Sequence, residues 1–174
     1  MLALPCVTSS DSAAGAWPGG EQLLALEARV RRAGTGLQVG DLLGCWRLEQ
    51  IWAKGSASPS PFSAGLLRSL QARLELEPGL EGGLLISNAV SLGGLELRFR
   101  GVARLLGPRP LLQFSFDRLQ LSLAGRVLLQ RPLPAPPPRR EPFFALIARD
   151  PSGWLAARGR GGGLALWRQS AQLA

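Results

Sequence analysis

The chain has 174 residues but no histidine and no tyrosine, one lysine (Lys54), one asparagine (Asn88) and two cysteines. Each scarcity removes a class of chemistry. Without histidine there is no Ser-His-Asp triad, no Cys-His dyad and no imidazole metal site. Cys6 and Cys45 are too few for a zinc cluster or a disulfide-dense secreted scaffold, and they read as free thiols. No Walker loop, dinucleotide fingerprint or paired carboxylate motif is present, so neither a cofactor nor a metal is expected. Long apolar runs are scarce as well. The longest uncharged stretch, Gly82 to Leu95, has 14 residues and four glycines, too short to span a bilayer. Met1 to Ser10 lacks the basic segment of a secretory signal, and the first arginine, Arg29, comes too late for a transit peptide. The expected location is intracellular, cytoplasmic or peripheral on a membrane face.

What is present points to a folded domain. Apolar residues make up 46% of the chain, well above the content of a disordered basic tail. The length suits one domain, with a loose leader over residues 1–19 and a single domain over 20–174. Lysine and arginine number 20 against 12 acidic residues, a net charge of +8. GC-rich codon usage accounts for most of the arginine skew; selection for guanidinium forks that grip phosphate is the alternative.

Glu21 to Arg32 reads as a helix, with Leu23, Leu26 and Val30 on one face and Arg29, Arg31 and Arg32 in the last turn. Gly34 and Gly36 end it. The hydrophobic period then falls from 3.6 to 2. Strands are expected at Leu42 to Ala53, around Leu74 and Leu76, over Leu84 to Leu92, around Leu95, Leu97 and Phe99, and around Leu112, Phe114 and Phe116. A helical turn is expected over Leu66 to Leu70, after a Ser/Pro-rich loop over Gly55 to Ala64. The phase flips at Asp117-Arg118, which marks a bulge or a tight turn. Arg131 to Pro142 carries six prolines and belongs to a loop or a sheet edge. Three closing strands, Phe143 to Ala148, Trp154 to Arg158 and Leu164 to Arg168, are separated by Gly-rich turns. The fold class is mainly β, about eight antiparallel strands with a short N-terminal helix, arranged as a barrel or a sandwich.

Gly44-Cys45-Trp46-Arg47-Leu48 forms a G-x-W-x-L element on the first long strand, and Arg158-Gly159 lies near the other end. Tryptophan makes a large plug for a barrel end, and an arginine can lay its planar head on an indole. Arg158 is expected to cap Trp46 in this way. Other elements follow in order: Ile86 to Val90, Leu95 to Gly101, Arg109 to Leu119 and Ala157 to Leu166. Together they resemble the plastid-lipid-associated protein family, also called plant fibrillins or plastoglobulins, over about Leu42 to Trp167. Glu49 and Gln50 stand where the family usually has an aromatic residue, and Arg160 where it commonly has an acid. The chain is thus similar to a divergent, cyanobacterial-type member. The resemblance implies a lipocalin-like antiparallel barrel of about eight strands, in a non-enzymatic protein of the thylakoid membrane or lipid bodies. It also implies binding of prenyl-lipids such as carotenoids, quinones or tocopherols.

Gly44, Trp46, Arg158 and Gly159 are the structural motif. Trp46, Leu97, Phe99, Phe114 and Phe116 are the candidates for an apolar interior, which they either fill or line as a cavity. Trp52 reads as a packed residue or as an anchor at a membrane interface. Arg98, Arg100 and Arg104 form a row on the polar side of one strand, a solvated face or a contact for anionic membrane lipid. The alternative function, a basic barrel that binds nucleic acid, is opposed by the dispersal of the arginines along the chain. Catalytic residues are not expected.

Overall fold

The computed structural model describes residues 17–56, 58–60, 65–66, 69–137 and 140–170. Most of the expected leader and part of the Ser/Pro-rich loop lie outside them.

Helix α1 spans Gly20–Ala33. At its start the Gln22 side-chain oxygen accepts the Gly19 N–H at 3.0 Å, satisfying one of the helix-entry donors. Glu21 lies in the first turn and Arg31 and Arg32 in the last, each sign suiting its end of the dipole. One face is apolar as expected, and Leu23 on it is fully buried. That burial alone is worth ~1.5–3 kcal/mol. A single turn, α2 (Val39–Leu42), leads into the sheet.

Nine strands follow: β1 (Gly44–Trp52), β2 (Arg73–Pro78), β3 (Leu84–Leu92), β4 (Leu95–Leu106), β5 (Leu111–Leu123), β6 (Arg126–Pro132), β7 (Phe143–Asp150), β8 (Trp154–Gly159) and β9 (Leu164–Ser170). Before β2 the Leu70 N–H donates to the Leu66 carbonyl at 2.9 Å, closing the expected helical turn. All pairings are antiparallel, in the order β4-β3-β2-β1-β9-β8-β7-β5-β6, and a β4–β5 pairing closes the sheet into a ring. The mainly β, barrel-like architecture expected from the alternation is therefore the observed one. β6 lies outside the ring as an edge strand and is exposed along its whole length. The sequence pattern shows no strand over 126–130, and residues 131 and 132, expected in a loop or edge, are the end of this edge strand.

Two bulges set which side chains face inward. On β5 the register jumps between Arg100↔Arg118 and Gly101↔Phe116, which leaves Asp117 as the extra residue. This is the phase flip seen in the sequence. Gly101 opposite it is sterically required, since a Cβ there would lie 1.8 Å from the Ser115 carbonyl oxygen. On β1 the register shifts between Leu48 and Gln50. Trp46 and Leu48 therefore point inward, while Trp52 points outward.

The core is double. Inside the ring, Trp46, Leu74, Leu76, Leu112, Leu155 and Trp167 pack together. Outside it, Trp52, Ile147, Ala156 and Leu166 are covered by Leu23 of α1, with Trp17 and Leu26 alongside. Trp52 is 0% exposed beneath the helix, which excludes the expectation of a membrane-interface anchor. Among the described residues no helix is long and apolar enough to cross a membrane.

Candidate functional site

β4 and β5 are the longest strands, at 12 and 13 residues, and they outrun their neighbours. β7 pairs with β5 only at Leu111, Leu112 and Gln113, and β2 pairs with β3 only as far as Ala89. The far parts of β3, β4 and β5, together with β6, therefore project past the ring as a tongue. Alternation gives this tongue two unlike faces.

The face continuous with the barrel interior is apolar. Leu95↔Leu123, Leu97↔Leu121 and Phe99↔Leu119 are direct cross-strand pairs, and Leu121 pairs on its other side with Leu129. Aromatic rings link this surface to the core. Phe99 and Phe116 have centroids 5.6 Å apart, Phe116 and Phe114 5.3 Å, Phe114 and Phe144 5.2 Å, and Phe144 and Trp167 5.3 Å. Tilted and edge-on ring pairs at such separations are favourable beyond their area. From Phe114 outward burial falls, while Phe144 beside it is half-buried. Trp167 and Phe114 are buried, Phe116, Phe99 and Leu97 are half-buried, and Leu95, Leu123 and Leu129 at the lip are exposed.

The five apolar candidates are thus divided between two environments. Trp46 and Phe114 belong to the packed inner core. Leu97, Phe99 and Phe116 lie at the mouth. Sequence reasoning missed Leu119, Leu121 and Leu129 as partners of this surface, although the alternation after the phase flip marks the first two.

The opposite face of the tongue carries ion pairs. Arg73 Nε donates to Glu75 Oε1 and Arg98 Nε to Glu96 Oε1, each at 2.9 Å. Arg73 also binds Glu96, and Arg98 also binds Glu75. Arg98 and Glu75 are buried. Burial pushes the Glu96 carboxyl upward, but the guanidinium hydrogen bonds of Arg98 and Arg73 outweigh it and hold the group at about 2. Burial likewise disfavours the Arg98 cation, and Glu96 and Glu75 reverse that effect. Arg98 is therefore no part of an exposed basic row. Arg104 is exposed and lies 3.4 Å from Glu141, while the Arg100 Nε is buried without a partner among the described residues.

Two expectations about the motif residues are corrected. Arg158 does not cap Trp46. The Trp46 Nε1–H donates to the Leu42 carbonyl at 2.7 Å inside the ring. Arg158 follows the outward parity of Ala156, and its Nε and Nη2 each donate to a Glu27 oxygen at 2.6 Å on α1. It also donates to the Gly162 carbonyl. Its hydrogen bonds hold the Glu27 carboxyl below its ordinary value despite burial. Glu27 had a readable signal: it lies four residues after Leu23 on the apolar helix face, where a carboxylate needs a cation. Secondly, Cys45 is not a free thiol but is disulfide-bonded; Cys6 lies outside the described residues. Gly44, at φ +127, and Gly159, whose N–H donates to Gly163 at 2.9 Å, occupy the start of β1 and the end of β8.

Among the described residues no three His, Cys, Asp or Glu side chains converge in a way that could hold a metal ion. No protein-family model matches the chain, and no curated protein matches it.

Proposed function

We propose that the chain is a non-enzymatic binding protein for an elongated lipophilic molecule, held at the apolar mouth of the barrel. The observation that carries this reading is the graded burial along Leu97, Phe99, Phe116 and Phe114, a continuous apolar path from the lip to the packed core. A ligand lying along it would remove exposed leucine and phenylalanine surface from water at ~25 cal/mol per Å². The ligand class that fits is a long, largely apolar chain or ring system, such as the prenyl-lipids: carotenoids, quinones and tocopherols. Peripheral contact with a photosynthetic membrane, where such molecules reside, belongs to the same proposal. The nucleic-acid alternative loses support from the buried, ion-paired state of Arg98.

The test is a binding titration. Quinones and carotenoids quench indole emission, and Trp167 sits at the inner end of the ring chain. Saturable quenching by at least one member of a prenyl-lipid panel is expected, with Phe99→Glu weakening it about tenfold or more at unchanged circular dichroism. Absence of saturable binding across carotenoids, quinones and tocopherols overturns the proposal.

A further inference from the structure

A second concavity lies outside the ring, on the face that α1 covers. It is a cleft of about 440 Å³ between the helix, the turn after β1 and the β8–β9 hairpin. Three cations from three separate elements line it: Arg31, Lys54 and Arg158. Leu24 and Leu164 give it an apolar wall. Glu27 bonds two of these cations, taking Arg158 through both oxygens and Arg31 at 3.1 Å. Lys54 has no ion pair or hydrogen bond among the described residues. One carboxylate against three cations leaves the cleft positive, and a partly apolar wall focuses that field.

The backbone is shaped around the lysine. A Cβ on Gly162 would lie 3.0 Å from Lys54 Cδ and 3.1 Å from Cγ, and Gly162 has φ +87. The aliphatic stem of the chain's single lysine thus rests on a bare stretch of the hairpin at the edge of the cleft.

We infer that this cleft binds an oxyanion, a carboxylate or phosphate monoester, carried on a short apolar group. The Lys54 ammonium and the unused donors of Arg31 meet the oxygens; Leu24 and Leu164 take the apolar part. Arg158 stays on Glu27 and contributes field rather than direct grip. The site is separate from the barrel mouth and does not depend on what binds there.

Reductive methylation with a ¹³C label keeps the lysine charge and gives Lys54 its own NMR signal. In titrations with hexyl phosphate and hexanoate this signal is expected to shift saturably. Affinity should fall about tenfold in Arg31→Gln, the loss of a charge-assisted hydrogen bond, and should fall with added salt. Unlabelled Lys54→Gln should lose binding similarly by calorimetry. Inorganic phosphate should bind more weakly than hexyl phosphate. A response to soluble hexyl phosphate identifies a free anion as the ligand; a response only to phosphatidic acid vesicles, not phosphatidylcholine vesicles, identifies a lipid headgroup. The inference is overturned if neither soluble anion nor either vesicle moves the signal, or if Arg31→Gln responds like the parent. Phe99→Glu should leave this binding unchanged, so failure here and failure at the mouth are distinguishable.

Discussion

Trp46 and Trp52 are both fully buried, yet their indole nitrogens differ. The Trp46 N–H is bonded to the Leu42 carbonyl, whereas the Trp52 N–H is buried without a partner among the described residues. Replacing Trp46 with Phe removes a donor and strands an acceptor, a cost of ~1–3 kcal/mol on top of lost packing. Trp52→Phe removes a group that was already unsatisfied and incurs only the packing loss. Urea denaturation of the two variants should therefore rank Trp46→Phe as the less stable. The same pair shows why sequence alone misassigned Arg158. A late arginine and an early tryptophan are both visible in the chain. Which face of the sheet each occupies depends on a one-residue bulge on β1 and on the parity of β8. The sequence also contains no cue to the pairing of Cys45, because bridging depends on a spatial approach between distant parts of the chain.

At the scale of elements, alternation was the reliable signal. It placed eight of the nine strands, and the flip at Asp117 marked the β5 bulge. β6 escaped because it is exposed on both faces and so carries no buried period. The bulge itself makes a sharp prediction. Gly101→Ala must displace the backbone of Ser115 or Phe116, and a loss of ~4 kcal/mol or more is expected, read as a large fall in Tm or failure to fold. Helix α1 is held by the Glu27–Arg158 pair as well as by Leu23. Glu27→Gln should cost about 2 kcal/mol and speed amide exchange in α1 before that of the ring strands. The ion pairs on the tongue give a pH signature. Glu96 is lowered from an ordinary 4.5 to about 2. A carboxyl with a depressed folded value contributes its stability above the unfolded value and loses it as the folded group protonates. Stability should therefore decline as pH falls from about 4.5 to about 2, and Glu96→Gln should flatten that decline in urea midpoints measured across the window.

At the scale of the molecule, five acids among the described residues lie in ion pairs with arginine: Glu27, Glu49, Glu75, Glu96 and Glu141. Six arginines share these five acids, so the ion-paired set holds only +1 of the +8 excess, and the rest lies on the other fourteen cations less the other seven acids. The barrel-like class was legible because each strand announces its own period. The candidate site was less so, since apolar residues that fill a core and those that line a mouth follow the same alternation. Only the lengths of β4 and β5 relative to their neighbours separate Phe114 in the core from Phe99 at the mouth.

The unequal partners of β5 also fix where the ring can come undone. β4 grips β5 from Leu95 to Leu106, while β7 holds it through Leu111, Leu112 and Gln113. Two further hydrogen bonds, Phe114 N–H to Pro142 at 3.1 Å and Leu146 N–H to Pro110 at 3.0 Å, extend that seam slightly. The ring is therefore a strap fastened by a short clasp. Releasing the clasp parts one edge without disturbing any hairpin, and it does so beside Phe114 and Phe144, midway along the ring chain. A molecule too long to enter through the mouth would have a side door, and the amides of Leu112 and Phe114, whose N–H groups point across the clasp, should be the first ring amides of β5 to exchange with solvent.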